Sequence, residues 1–321
     1  MKCLEQYLYP TQGQLFRMLS KEYKENSTII NGSYILVHGE APILLVAHLD
    51  TVHKEPVKDI CKSKGGNILM SPQGIGGDDR CGVYALNAIY ERASVKPWLL
   101  FTCDEETGGI GAREFCRSYN AHALPEALDN IKAIVEIDRR GKNDAVYYDC
   151  DNEEFEDYIT SKGFSTEWGS FSDISVIAPA MGVAAVNLSS GYYNAHTLYE
   201  YIDRKELNNT VKRALSIVED AALPNFPYYE YVEAQYYYRG SHWNYAQYGD
   251  WEIYENNEEP DLTDVPYEYR AEYRELLELH SKKELDSIRE ELGDSMIRYL
   301  FESEYGGTYE ELFGKEDEEE I

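Results

Sequence analysis

Short, unbroken apolar runs alternate with helical patterns along residues 1–224. The runs 34–38, 43–47, 98–102, 132–137 and 183–188 are bounded by turn residues, which suits strands buried on both faces. Amphipathic periodicity predicts helices over 11–24, 81–93, 109–118, 151–162 and 205–222. Strands that alternate with helices predict an α/β fold, with helices packed on a mostly parallel central sheet.

The pattern changes after residue 224. Residues 225–260 interleave tyrosines (Tyr228, Tyr229, Tyr231, Tyr236 to Tyr238, Tyr245, Tyr248, Tyr254) with acids and show no helical period, which predicts an extended segment lying along the body through its rings. Two amphipathic helices are expected over 266–282 and 284–303, with Leu276, Leu277, Leu285, Ile288, Leu292, Ile297 and Leu300 as the apolar set. The expected division is therefore a body at 1–224 and a mainly helical, acidic, tyrosine-rich appendage at 225–321.

Charge sharpens that division. Of a net charge of −29, residues 225–321 carry −19, from 27 acidic and 8 basic side chains. So acidic a chain argues against nucleic acid as a partner, because phosphate is repelled. No run approaches the roughly 18 apolar residues of a membrane helix, so no membrane partner is expected. Met1 to Gln6 lack the apolar run of a signal peptide, so a cytoplasmic location is expected. The six cysteines are scattered without a Cys-x-x-Cys pair, which argues against a disulfide framework.

Five segments carry candidate chemistry, and three of them follow strand ends, where open α/β sheets bind ligands. In Val46-Ala47-His48-Leu49-Asp50, strand alternation sets His48 and Asp50 on one side. That suits a ligand histidine oriented by a carboxylate, and also a capped strand end. Asp78, in the turn Gly76-Gly77-Asp78-Asp79-Arg80, suits a metal carboxylate or a helix N-cap, with Arg80 expected to pair with a nearby carboxylate. Glu105 and Glu106 offer one ligand and one general base, or an acidic pair favoured by a helix dipole. Asp138 ends an apolar strand, where it needs a metal or a partner such as Arg139 or Arg140. His196 lies in a polar loop.

As a set, in this order, these segments resemble the di-zinc exopeptidase superfamily, which includes the zinc aminopeptidase, peptidase T-like and carboxypeptidase G2-like families. The resemblance covers residues 44–202. It is most specific at Gly76 to Gly82 and Phe101 to Gly108, which look most like the peptidase T-type and glutamyl-type aminopeptidase branches. It implies a three-layer sandwich and two zinc ions. Asp78 would be the bridging carboxylate. His48 and Asp138 would complete one zinc site, and Glu106 and His196 the other. Glu105 would be the general base, and Asp50 the orienter of His48. Gly182 to Leu188 resemble the family's last sheet strand, and Ser172-Asp173 a Ser-Asp step of the aminopeptidase-type branch. Many relatives insert a lid or dimerisation domain between the metal Asp and the last His, but only 57 residues separate Asp138 from His196, so a lidless body is expected.

The expected activity is that of a metal-dependent exopeptidase, an aminopeptidase first, hydrolysing peptides with a metal-bridging water. A carboxypeptidase or N-acyl amino acid amidase is the alternative, with Arg139 and Arg140 gripping a substrate carboxylate. A silent metal-binding scaffold that binds a protein partner through residues 225–321 is the third reading. Cobalt or manganese suits such a donor set as well as zinc.

Overall fold

The computed structural model describes residues 3–169, 171–234 and parts of 265–305. Its first compact unit extends to Tyr237 and the second begins at Tyr238.

In the first unit the strands are β1 (Ser27–Ile30), β2 (Tyr34–Val37), β3 (Ile43–His48), β4 (Cys61–Lys62), β5 (Ile68–Met70), β6 (Trp98–Thr102), β7 (Ala133–Arg139), β8 (Asp144–Val146), β9 (Ser165–Thr166), β10 (Ala185–Ser189), β11 (Tyr192–Tyr193) and β12 (Tyr201–Asp203). The helices are α1 (Glu5–Leu8), α2 (Gln12–Glu22), α3 (Gly77–Arg92), α4 (Ile110–Asn120), α5 (Glu153–Ser161), α6 (Ile174–Met181) and α7 (Arg204–Ala221). The main sheet has the order β1-β2-β6-β3-β7-β10-β8-β9. Its centre, β6-β3-β7-β10, is parallel, as is the edge pair β8-β9, while β1-β2, β2-β6 and β10-β8 pair antiparallel, so the sheet is mixed. The β1-β2 pair follows from the short turn between the two strands, which allows no crossover.

Strand alternation explains the layers. Ile43, Leu45 and Ala47 of β3 join one buried cluster with residues of α3 and α7, while Leu44 and Val46 join a second cluster with α4 and α6. Helices therefore cover both faces, and the central strands carry apolar residues on both sides. A second small sheet, β11-β12-β5-β4, is built from the segments around His196 and before Asp78.

Helix α3 packs close against β7 through Gly82: a Cβ there would lie 2.2 Å from Ile137 O and 2.3 Å from Asp79 Oδ2. Its regular part starts near Arg80, because Asp78 and Asp79 are non-helical. Asp79 supplies the cap, its Oδ1 accepting from Gly82 N at 2.8 Å.

The described part of the tyrosine-rich segment is held by main-chain bonds. Tyr229 N donates to Lys132 O, Ala184 N to Tyr229 O and Tyr231 N to Gly182 O. Residues 235–264 lie outside the described residues. In the second unit the helical residues include Arg270–Leu276 and Ser295–Tyr305, and Val265, Tyr273, Leu276, Leu285, Ile297 and Phe301 form its buried cluster. Leu300 packs against that cluster, and Leu277, Ile288 and Leu292 lie outside the described residues. No helix among the described residues is long and apolar enough to cross a membrane.

Candidate metal centre

Parallel strands deliver the chemistry to one edge. His48 is the last residue of β3, Glu105 and Glu106 follow β6, and Asp138 is the penultimate residue of β7. Asp78 reaches the same edge from the turn opening α3, and His196 from the loop between β11 and β12. Among the described residues no separate domain interrupts the chain between Asp138 and His196.

The side chains converge around Asp78. Its Oδ1 lies 3.1 Å from His48 Nε2, and its Oδ2 lies 3.3 Å from His196 Nε2. Asp138 Oδ1 is 3.4 Å from His48 Nε2, and Glu106 Oε2 is 3.1 Å from His196 Nε2. Three donor groups result, His48-Asp78-Asp138, Asp78-Glu106-His196 and His48-Glu105-Glu106, the first two sharing Asp78. Glu105 Oε2 stands 4.0 Å from His48 Nε2.

Each element is held from behind. Asp50 Oδ1 lies 3.2 Å from His48 Nδ1, and the same carboxylate accepts from Glu105 N at 3.1 Å and Glu106 N at 3.0 Å. One buried side chain therefore fixes both the imidazole and the Glu-Glu turn. Asn187 of β10 holds Asp138, its Oδ1 accepting from Asp138 N at 2.9 Å. Buried Glu200 holds the Asp78 turn: Oε1 accepts from Asp78 N and Oε2 from Gly76 N, each at 3.0 Å, with His53 Nε2 2.8 Å from Oε2. His196 itself takes a left-handed backbone (φ 62°), a conformation that needs surrounding support in a non-glycine residue.

Negative charge is in surplus here. Burial pushes the Glu105 carboxyl up to about 9, with Asp138, Asp173 and Glu106 adding to the shift. Burial and the neighbouring Asp78 raise Asp138 to about 7. Burial alone would depress His48, yet Asp138, Asp50 and Asp78 hold it well above the usual histidine value. Hydrogen bonds to Asp78 and Glu106 raise His196 to about 10. Buried Glu106 Oε1 and Asp138 Oδ1 have no hydrogen-bond partner among the described residues. Two carboxyls that resist ionisation, Glu105 and Asp138, together with two orphaned oxygens, fit a cationic occupant, and imidazole plus carboxylate is a donor set suited to zinc.

All six residues singled out from the five segments, with Asp50, thus come together. Arg80 differs from expectation: its guanidinium donates to the carbonyls of Leu49 and Pro10, at 3.1 Å for Pro10, rather than pairing with a carboxylate by hydrogen bond. It lies inside the fold where those carbonyls are the groups needing donors. Arg139 Nη2 donates to Trp168 O at 3.0 Å, with Nε 3.9 Å from Asp144 Oδ2. Ser172 hydrogen-bonds Glu136, and Asp173 accepts from Thr102. Glu200 and Glu136 escaped the sequence reading. Glu136 left a signal, an acid inside an apolar strand on the same side as Asp138. Glu200 left none, because its partners are distant in the chain.

No protein-family model matches the sequence, and no curated protein matches it. Solved structures do. The aminopeptidase PepT from Bacillus cereus aligns over 68% of this chain and 97% of its own, at 14% identity and a TM-score of 0.52. A tripeptidase from Staphylococcus aureus aligns over 68% and 96%, at 15% and 0.53. A TET aminopeptidase from a marine sediment Thaumarchaeota archaeon aligns over 67% and 95%, at 11% and 0.51. At such identities the likeness is one of backbone. The chain shares the fold of these solved peptidases, a fold that the order of its motifs implied.

Proposed function

We propose that this chain is a metal-dependent aminopeptidase that carries two metal ions, zinc being the natural pair for the donor set, in a catalytic body spanning residues 1–224. The observation that carries the reading is the sharing of Asp78, whose two oxygens face two different histidines, each with its own second carboxylate. His48 and Asp138 would hold one ion, Glu106 and His196 the other, with Asp78 between them. Two zinc ions in such a site polarise the scissile carbonyl and lower the pKa of the attacking water.

The remaining chemistry belongs to the chain. Glu105 accepts the proton of the attacking water and passes it to the leaving amine. Asp50 keeps His48 in one tautomer, with Nδ1 turned to the carboxylate and Nε2 to the site, and holds Glu105 in place through its amide. Arg139 gives Nη2 to Trp168 O while its Nε has no hydrogen-bond partner among the described residues, so the carboxypeptidase alternative is left to the test below.

The test is mass spectrometry of a mixed peptide library incubated with zinc-loaded protein, with Glu105→Gln as control. Stepwise loss from the amino end, abolished in Glu105→Gln while both metals stay bound, is the expected result. Loss from the carboxyl end would replace the aminopeptidase reading with a carboxypeptidase one. Turnover retained in Glu105→Gln would remove Glu105 from the base role.

A further inference from the structure

Asp104 stands between the end of β6 and the Glu105-Glu106 pair, and its backbone is left-handed, with φ 58°. That conformation strains a residue that carries a Cβ, and aspartate adopts it when its polar groups are bonded. The partner is distant in the chain. Gln12 Nε2 donates to Asp104 Oδ1 at 2.7 Å, and Asp104 N donates to Gln12 Oε1 at 3.2 Å. One carboxamide thus grips Asp104 at its main-chain amide and at its side chain together. Among the described residues these two groups have no other hydrogen-bond partner.

The grip stands on a fixed mount. Gln12 is the first residue of α2, whose start is closed by a capping box between Thr11 and Gln14. Leu15, Phe16 and Leu19 bury that helix in the core. Arg80 donates to Pro10 O, two residues before Gln12, and to Leu49 O, between His48 and Asp50. The segment that carries Gln12 is therefore tied to the strand end that carries His48.

Beyond Asp104 the turn closes on itself. Gly108 N and Gly109 N donate to Glu105 O, and Ile110 N and Thr107 Oγ1 donate to Asp104 O. These bonds set the shape of the turn, and the φ of Asp104 sets the direction in which it leaves β6. A change there would swing Glu105 and Glu106 together, although neither touches Gln12.

We infer that Gln12 is a positioning residue of the metal centre: by holding Asp104 left-handed it aims Glu106 at the ion shared with His196 and Glu105 at the attacking water. The inference rests on the proposed roles of the two glutamates.

The test exchanges the two side chains in the full-length protein. Gln12→Glu sets a carboxylate against the Asp104 carboxylate, while an acid in the first turn of α2 suits the helix dipole, so the fold is kept. Gln12→Glu combined with Asp104→Asn restores both bonds, because the new carboxylate accepts from the Asn side chain and from the main-chain N–H. Asp104→Asn alone keeps its acceptor oxygen toward Gln12 and serves as the control. Calorimetric titration of the chelator-stripped proteins with zinc reads the two ions, the Glu106 step being the one that His196→Ala removes. Gln12→Glu is expected to weaken that step roughly tenfold or more and the other step less than threefold. Trimming of the mixed peptide library at saturating zinc is expected to fall roughly tenfold or more. The exchanged pair is expected to recover both within threefold. Zinc affinities of Gln12→Glu within twofold of wild type would overturn the inference, whether or not the melting temperature falls, as would a loss that the exchanged pair does not recover. The expected zinc pattern in a protein that trims no peptide would refute the aminopeptidase reading and leave the role of Gln12 standing.

Discussion

Glu200→Gln tests how the bridging carboxylate is positioned. Glu200 is buried, with Oε1 accepting from Asp78 N and Oε2 from Gly76 N at 3.0 Å each, and His53 2.8 Å from Oε2. Glutamine keeps one acceptor oxygen. Whichever way its amide turns, one of the two main-chain donors faces an NH2 group, and the charge that strengthened both bonds is gone. A hydrogen bond to a charged group contributes about 1.5–3 kcal/mol, and a buried donor left unpaired costs about 1–3 kcal/mol. A net loss of roughly 2–4 kcal/mol is expected, or roughly 5–15 °C in melting temperature for a unit of this size. Because the distorted turn carries Asp78, zinc affinity should also fall by roughly 10–100-fold, as for other partners that orient a metal ligand. Thermal denaturation with and without zinc, together with competition against a chelator, reads both quantities. A wild-type melting temperature and wild-type zinc affinity would refute the reasoning. A lowered melting temperature with zinc affinity within twofold of wild type would make Glu200 a support of the fold alone.

Three further outcomes are expected. Asp50→Asn removes the charge that accepts His48, Glu105 N and Glu106 N, so zinc affinity should fall roughly 10–100-fold and turnover with it; unchanged values by chelator competition and peptide assay would exclude the orienting role. Gly82→Ala places a Cβ 2.2 Å from Ile137 O, so a melting curve should show a loss of at least about 1–3 kcal/mol, and a neutral effect would mean that α3 shifts freely from β7. The metal-free protein should lose stability from pH 5 to 8. Asp173, Asp138 and Glu105, raised to about 6, 7 and 9, hold protons when folded that they release when unfolded in that window. The slope is about 1.4 kcal/mol per pH unit for each proton so held, and zinc should flatten it; a melting temperature of the metal-free protein that rises over that range would overturn the acidic-surplus account.

What the sequence revealed follows burial. The central strands β3, β6, β7 and β10 are enclosed on both faces and so read as largely apolar runs, such as Ile43 to Ala47, broken only by Glu136 in β7 and Asn187 in β10 before the strand ends. The outer strands β4, β8, β9, β11 and β12 are two or three residues long, too short for a period of two to register. Helix α6 is apolar on most sides and carries Pro179, so it shows neither amphipathic contrast nor a clean helical pattern. The antiparallel setting of β2 against β6 depends on tertiary packing that no local pattern encodes. The site was legible for a different reason: few residue types perform metal and acid–base chemistry, so His48, Asp78, Glu105, Glu106, Asp138 and His196 stand out by type and order. Glu200 does not, because its value comes from two amides in a turn more than a hundred residues away.

The convergence of five chain segments on Asp78 also governs how the molecule comes apart. His48 and His196 bracket nearly the whole run of central strands, and the segments between them are joined both by the sheet and by direct bonds such as Asp50 to the Glu105 and Glu106 amides and Glu200 to the Asp78 turn. A nicked or truncated chain that lacks any one strand of the centre presents no intact constellation. An ion bound there is held by the cooperative unit as a whole, and its binding free energy adds to the stability of every strand in it. Under the proposed reading, a chelator that strips the ions would lower the melting temperature of the folded body by an amount set by the binding free energy lost.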